Sequence, residues 1–185
     1  MSSSSIREPR HARTTIALHW LTAILIVALW SIGQTIDFAP RGSIRVDYRS
    51  LHMLLGVLLG IVIVIRLVWR IAKGGMLPDI QRGWVLLASR ATHWLLYALI
   101  VSAVALGVLT AWTRGDSVFN VFNIPQFYPG DRATAHLVGG WHALCTNAIM
   151  IAGVLHTGAA LFHHFVLRDA TLRRMLPWGE GQARR

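Results

Sequence analysis

The sequence predicts an all-α integral membrane protein, a four-helix bundle, and three observations predict it. Hydrophobic residues make up 54 % of the 185 positions and charged residues only 14 %, where a soluble domain carries about 25 % charged residues. Mean hydropathy is +0.50. The apolar residues gather in four long runs, each close to the length of about 20 residues that a helix needs to cross a bilayer. None of the runs alternates with period two, which excludes a membrane β-barrel.

The first run covers about Ile16–Gly33, the second about Leu51–Trp69, the third about Ala91–Trp112 and the fourth about Gly140–Leu167. Together they read as one transmembrane unit over 1–185, with no internal repeat, low-complexity tract or second domain. The serine-rich Met1–Ser5 with Arg7, Arg10 and Arg13 imitates the opening of a signal peptide. The run behind it is of full span length and is followed by no small-residue cleavage site, so it reads as an uncleaved first span.

Charge sets the expected orientation. The formal net charge is +10, and Lys73 is the single lysine among 18 cations. The arginines flank apolar runs instead of lining one face, which excludes a nucleic-acid binder. With four spans, the N-tail, the loop Arg70–Arg90 and the C-tail share one side, and 13 of the 18 cations, counting Arg66 at the end of the second span, fall there against four acids. The other side carries Arg41, Arg45, Arg49, Arg114 and Arg132, also against four acids. The positive-inside rule then puts both termini in the cytoplasm. Two outer loops remain, Gln34–Ser50 and about Thr113–Gly139, and the aromatic stretch VFNVFNIPQFYPGD in the second is expected to cap the outer face. The inner arginines need no role beyond topology and contact with anionic lipid.

Histidines carry the chemistry. His19, His52, His93, His142 and His156 lie within or at the start of spans, where ionisable side chains are costly and usually functional. His52 and His142 open their spans on the outer side. His156 lies 14 residues beyond His142, about 21 Å deeper and on nearly the same helix face. That depth matches His19, a turn inside the inner end of the first span. The fourth helix thus offers one imidazole near each surface, with His52 as outer partner and His19 as inner partner. Two stacked bis-imidazole sites in a four-helix bundle suit two b-type haems, with His52 and His142 on the outer iron and His19 and His156 on the inner. Covalent c-type attachment is excluded by the absence of CxxCH, and the single Cys145 leaves no disulfide framework. Zinc fits less well, because it gathers three or four ligands at one point.

His93 rivals His19 as inner ligand. It lies closer to the polar end of its span, where it could bond a haem propionate instead, so His19 is preferred. Gly56 and Gly60 below His52, and Gly153 and Gly158–Ala160 around His156, would leave room for a flat macrocycle or serve ordinary helix packing. Trp20, Trp94 and Trp141 read as interfacial belt residues, and His11 and His136 as surface residues.

In order, LHW (18–20), SLHMLLG (50–56), ATHWLLYAL (91–99), GGWH (139–142), GVLHTGAALFHHF (153–165) and LRRMLP (172–177) resemble the bacterial cytochrome b561 family. The resemblance spans about Thr15 to Pro177. It implies an inner-membrane dihaem protein of four transmembrane helices, whose four ligand positions are filled here by His19, His52, His142 and His156. It also implies electron transfer between a periplasmic donor and membrane quinone. The chain looks similar to the branch that oxidises superoxide and hands the electrons to ubiquinone.

His163, seven residues past His156, lies two turns on and about 10 Å nearer the cytoplasm, where it could bond a quinone oxygen and deliver protons. His164 points about 100° away. Outside, Arg41, Arg45 and Arg49 crowd the loop before His52, against the positive-inside bias. They would either draw a small anion to the outer haem or neutralise its propionates, with Arg114 and Arg132 able to join. Two other classes remain open: a membrane-anchor cytochrome b subunit of a larger dehydrogenase or hydrogenase, and a non-redox small transporter whose histidines line a path.

Overall fold

The computed structural model describes residues 11–73, 81–126 and 131–177. Four long helices dominate them: α1 (Arg13–Thr35), α2 (Ser43–Lys73), α3 (Gly83–Arg114) and α4 (Arg132–Phe165). Each is long and apolar enough to cross a membrane. Short 3-10 turns follow α1 at Ile36–Phe38 and follow α4 at Arg173–Met175. A two-stranded antiparallel hairpin, β1 (Ser117–Val118) and β2 (Phe122–Asn123), sits between α3 and α4.

The helices overrun the apolar runs at their ends. α2 begins at Ser43, eight residues before Leu51, and α4 begins at Arg132, eight before Gly140. Hydropathy marks where lipid ends, whereas the i to i−4 backbone ladder continues through polar residues until something stops it. For α3 that stop is Gly115 at φ 64°, whose N–H bonds to the Ala111 carbonyl at 3.0 Å. For α4 the start is Asp131, whose carboxylate accepts the Thr134 N–H at 3.0 Å. Hydrogen bonding from Thr134, from its side chain first and then from this N–H, holds the exposed Asp131 carboxyl below its usual range. All three expected loops are accordingly shorter than read from the sequence, since α2 also runs on to Lys73 and α3 begins at Gly83. Arg45 and Arg49 stand on the first turns of α2, and Arg41 alone of the three lies in the connection before it.

The bundle closes as a ring: α1 packs on α2, α2 on α3, α3 most extensively on α4, and α4 returns to α1. Its buried centre is a belt of Leu25, Leu29, Leu59, Val62, Ile63, Tyr97, Ile100, Ala103 and Ile149. Outward positions such as Ile24, Leu54, Ile151 and Leu155 remain broadly exposed, which is what a lipid-facing surface requires. Between helices, the Trp30 indole N–H bonds Asn147 Oδ1 at 2.9 Å, joining α1 to α4 at an exposed edge of the bundle.

The hairpin is fastened to the end of the bundle near His52. Ser50, fully buried, accepts the Phe119 N–H at 2.8 Å and donates to the Val46 carbonyl at 2.7 Å. Arg49 NH1 pairs with Asp116 Oδ1 at 2.8 Å. The described part of the expected cap, 118–126, thus contains a pinned hairpin, and 127–130 lie outside the described residues.

Candidate functional site

Two histidine pairs form, one toward each end of the bundle. His52 on α2 and His142 on α4 face each other with ring centres 6.1 Å apart and planes at 82°. His19 on α1 and His156 on α4 do so at 6.3 Å and 66°. A metal bonded to both rings at about 2 Å needs ring centres about 6 Å apart, so either pair has room for one iron. Among the described residues, no three His, Cys, Asp or Glu side chains converge on one point. That grouping favours axial pairs over a tetrahedral site.

At the His52 end, backbone packing makes the space. A Cβ on Gly33 would touch His52 Cε1 at 3.4 Å, and one on Gly107 would press on His142 Cε1 at 3.2 Å. Each ring therefore rests on a glycine of the neighbouring helix. His142 Nδ1 donates to the Ala103 carbonyl at 3.0 Å, which leaves the Nε2 lone pair available. His52 Nδ1 is buried without a well-formed hydrogen bond, the Leu29 carbonyl being the acceptor on offer. Gly56 meets nothing within 4 Å, whereas Gly60 is filled by Val104 Cγ1 at 3.3 Å. Gly60 thus serves helix packing, while the space beside Gly56 is open, as it is beside Gly153 and Gly158.

Around this pair lie Arg49, Asp116 and Arg114. The Arg114 guanidinium covers Gly139, one turn from His142. Burial drives the Asp116 carboxyl above its usual value, outweighing the pull of Arg49 and Arg114. Arg49 Nε is buried and has no hydrogen-bond partner. Arg45 is differently engaged, with its guanidinium on the Ala39 and Asp37 carbonyls at 2.6 to 3.0 Å. Of the arginines at this end, Arg49 is paired with Asp116, Arg114 lies against α4 at Gly139, and Arg41 is exposed.

At the His19 end, charge gathers instead. Arg66 NH2 lies 3.0 Å from His19 Nδ1. Since a guanidinium only donates, Nδ1 there accepts and the ring proton belongs on Nε2. Arg66 also covers the Tyr97 ring at 5.3 Å, and Arg70 covers Trp94 and Tyr97 at 5.4 and 5.6 Å. His93 stands 5.3 Å from the His156 ring, too close for a metal between them in line, and its Nδ1 donates to the Ser89 carbonyl at 2.7 Å. His11, expected at the free surface, is half-buried. Burial, Arg174 and His93, in that order, push its imidazole below the usual value. Farther out, His163 Nδ1 meets Asp169 Oδ2 at 2.5 Å, and His164 stacks on Phe165 at 4.8 Å.

Sequence reasoning missed Arg66 and Asp169. Arg66 had a signal: it follows His52 by 14 residues, the interval that separates His142 from His156, so α2 aims it at the deeper level on the same face. Asp169 had none, because it lies beyond the end of its helix.

The chain is similar over nearly its whole length to known proteins. The profile of the family described as prokaryotic cytochrome b561 matches residues 10–178. The chain is 32 % identical over 174 residues to cytochrome b561 homolog 2 of Escherichia coli K12, covering 90 % of this chain and 91 % of that one. It is 29 % identical over 170 residues to a Yersinia pestis protein named probable superoxide oxidase CybB, covering 90 % and 95 %. To cytochrome b562 of Cereibacter sphaeroides it is 29 % identical over 180 residues, covering 92 % and 97 %.

Proposed function

The chain belongs to the prokaryotic cytochrome b561 family and is a bacterial membrane protein that transfers electrons by b-type haem; from that premise we propose that it holds two such haems in series and passes electrons from periplasmic superoxide to ubiquinone. His52 and His142 would hold the outer iron, and His19 and His156 the inner. Each bound haem supplies a one-electron store, and ubiquinone reduction needs two electrons and two protons. The observation that carries this reading is the pair of facing imidazoles at each level, at 6.1 and 6.3 Å, with the aliphatic belt between them. The charge asymmetry of the chain supports cytoplasmic termini in the inner membrane, which puts the His52 end outside.

The chain's own residues have defined tasks in this scheme. His142 is oriented by the Ala103 carbonyl, which keeps its Nε2 free of a proton. His19 needs the same tautomer, so Arg66 has to release its Nδ1. A propionate carboxylate is the partner that would draw Arg66 away. His93, fixed by Ser89, has its Nε2 left to bond a propionate rather than iron. Outside, Arg49 and Arg114 would attract an anionic donor through long-range charge, with Arg41 contributing from the adjoining loop. The likeness to a protein named as a superoxide oxidase supports superoxide as that donor.

The first test is a reduced-minus-oxidised spectrum with a pyridine haemochrome assay on detergent-purified protein. Two b haems per chain are expected, and a haem-free protein from haem-replete cells rejects the reading. Superoxide is tested by pulse reduction: Arg49→Gln with Arg114→Gln slows haem reduction and flattens its salt dependence. An unchanged rate removes steering by these arginines.

A second reading, an anchor subunit for a larger dehydrogenase, draws on the hairpin tip, where Phe119, Val121 and Phe122 are exposed. Copurification of a stoichiometric partner would favour it.

A further inference from the structure

We propose that Asp169 is the positioning residue of His163, holding its imidazole in one tautomer and one orientation so that Nε2 can pass a proton to quinone at the inner end of the bundle. This deepens the quinone reading above and rests on it.

The pair is built by the way α4 ends. The helix closes with the Leu167 N–H on the Phe162 carbonyl at 3.2 Å. Arg168 then takes φ 53°, a left-handed conformation rarely adopted by a residue with a Cβ. That single reversal folds the chain back over the last turn, and the Asp169 N–H bonds the His163 carbonyl at 3.1 Å. The carboxylate is thereby set against the His163 ring. Its Oδ2 takes His163 Nδ1, and its Oδ1 takes the Thr171 N–H at 2.8 Å. Both oxygens are engaged, so the carboxylate cannot swing.

The segment beyond is fixed as well. Arg174 N–H bonds the Ala170 carbonyl at 3.0 Å, and the Trp20 indole N–H reaches from α1 to the Met175 carbonyl at 2.8 Å. Burial acts to raise the Asp169 carboxyl, but the bonds from His163 and Thr171 outweigh it and hold the group below its ordinary value. It is therefore a carboxylate at neutral pH.

The chemical consequence follows the logic of an orienting carboxylate behind a histidine. With the Nδ1 proton committed to Asp169, Nε2 is the atom that takes up a proton from water on the cytoplasmic side. The carboxylate balances the positive charge that then appears on the ring. The Nε2–H bond breaks as an O–H bond forms on a quinone oxygen, and the ring returns to its neutral form. Two such transfers accompany the two electrons arriving singly from the one-electron donor, so quinone becomes quinol with charge conserved.

The haem-loaded protein in lipid nanodiscs tests this with two readouts. Nitrogen-15 NMR of the His163 ring, which needs no quinone, is expected to show the proton on Nδ1 in the parent. Asp169→Asn is expected to move it toward Nε2, and Asp169→Glu to keep it on Nδ1. Turnover of dithionite-reduced protein with a short-chain ubiquinone is expected to lose about tenfold to a hundredfold in kcat for Asp169→Asn. KM should stay within about twofold, and Asp169→Glu should recover most of the rate. An unchanged ring signature in Asp169→Asn overturns the proposal whatever the quinone does. Full turnover in Asp169→Asn beside slow turnover in His163→Ala overturns it and leaves the quinone reading standing. Full turnover in both variants discards the quinone role of His163 and this inference with it. Equal loss of rate in the Asn and Glu variants, with reduced haem content, shows a merely structural role and also overturns it.

Discussion

The two ends of the bundle present the same pair of imidazoles in opposite surroundings. At the His52–His142 end, room is made by glycines, Gly33 under one ring and Gly107 under the other, and one carboxylate, Asp116, sits among Arg49 and Arg114. At the His19–His156 end, Arg66 lies 3.0 Å from His19 Nδ1, and Arg70 lies over Trp94 and Tyr97. One end is shaped by space and the other by positive charge. A nearby cation favours the state that has gained an electron. On the proposed reading the inner haem would be the better electron acceptor, with the gradient running from the capped end toward the cationic end.

The strongest way to break this comparison is to remove ligands one end at a time. His142→Ala and His156→Ala are each expected to halve the haem content, from two per chain to one, by pyridine haemochrome. His93→Ala is expected to leave two. If His156→Ala kept both haems while His93→Ala lost one, the inner pair would need to be redrawn around His93.

Charge is the next lever. Arg66→Gln is expected to lower the inner haem potential by several tens of millivolts, the scale of one unit charge lost at short range. The outer potential should hold. A redox titration that resolves two components checks both halves, and equal shifts in both would erase the distinction between the ends.

Space comes third. Gly107→Val forces a side chain against His142 and is expected to weaken the outer haem alone. Gly56→Leu fills a position that nothing occupies within 4 Å, and loss of the outer haem there would show that the macrocycle uses that room.

A smaller effect is expected at Asp116. Because its carboxyl is raised in the folded chain, folding is favoured most below the ordinary aspartate range and loses that advantage as pH rises through the raised value. Asp116→Asn is expected to remove this dependence and to cost at most about 1 kcal/mol near neutral pH, since the desolvation penalty leaves with the charge. Thermal melts at acid and neutral pH measure it.

Four helices and the two imidazole levels were legible because each depends on spacing along one helix, and spacing is written in the chain. The 14-residue interval from His142 to His156 survives any rotation of α4 about its axis. Which glycine lies under which ring depends on how α1 and α3 turn against their neighbours, so Gly33 and Gly107 could not be read while Gly56 and Gly60 looked alike. Near His52 a polar stretch that composition marks as loop is the continuation of α2, which gives Arg45 and Arg49 fixed partners. Asp169 depends on one left-handed residue, Arg168, and nothing in the composition of VLRDAT announces that reversal.

The aliphatic belt between the two levels has an electrical consequence. The levels stand about 21 Å apart along α4, against a hydrocarbon thickness of about 30 Å, so an electron passed between them crosses roughly two-thirds of the membrane voltage. Under a potential negative inside, inward transfer works against about 1.5 kcal/mol for every 100 mV. With the proposed inward direction, an energised membrane would act as a brake on this protein, and Arg66 beside His19 would set how much of that braking each electron can overcome.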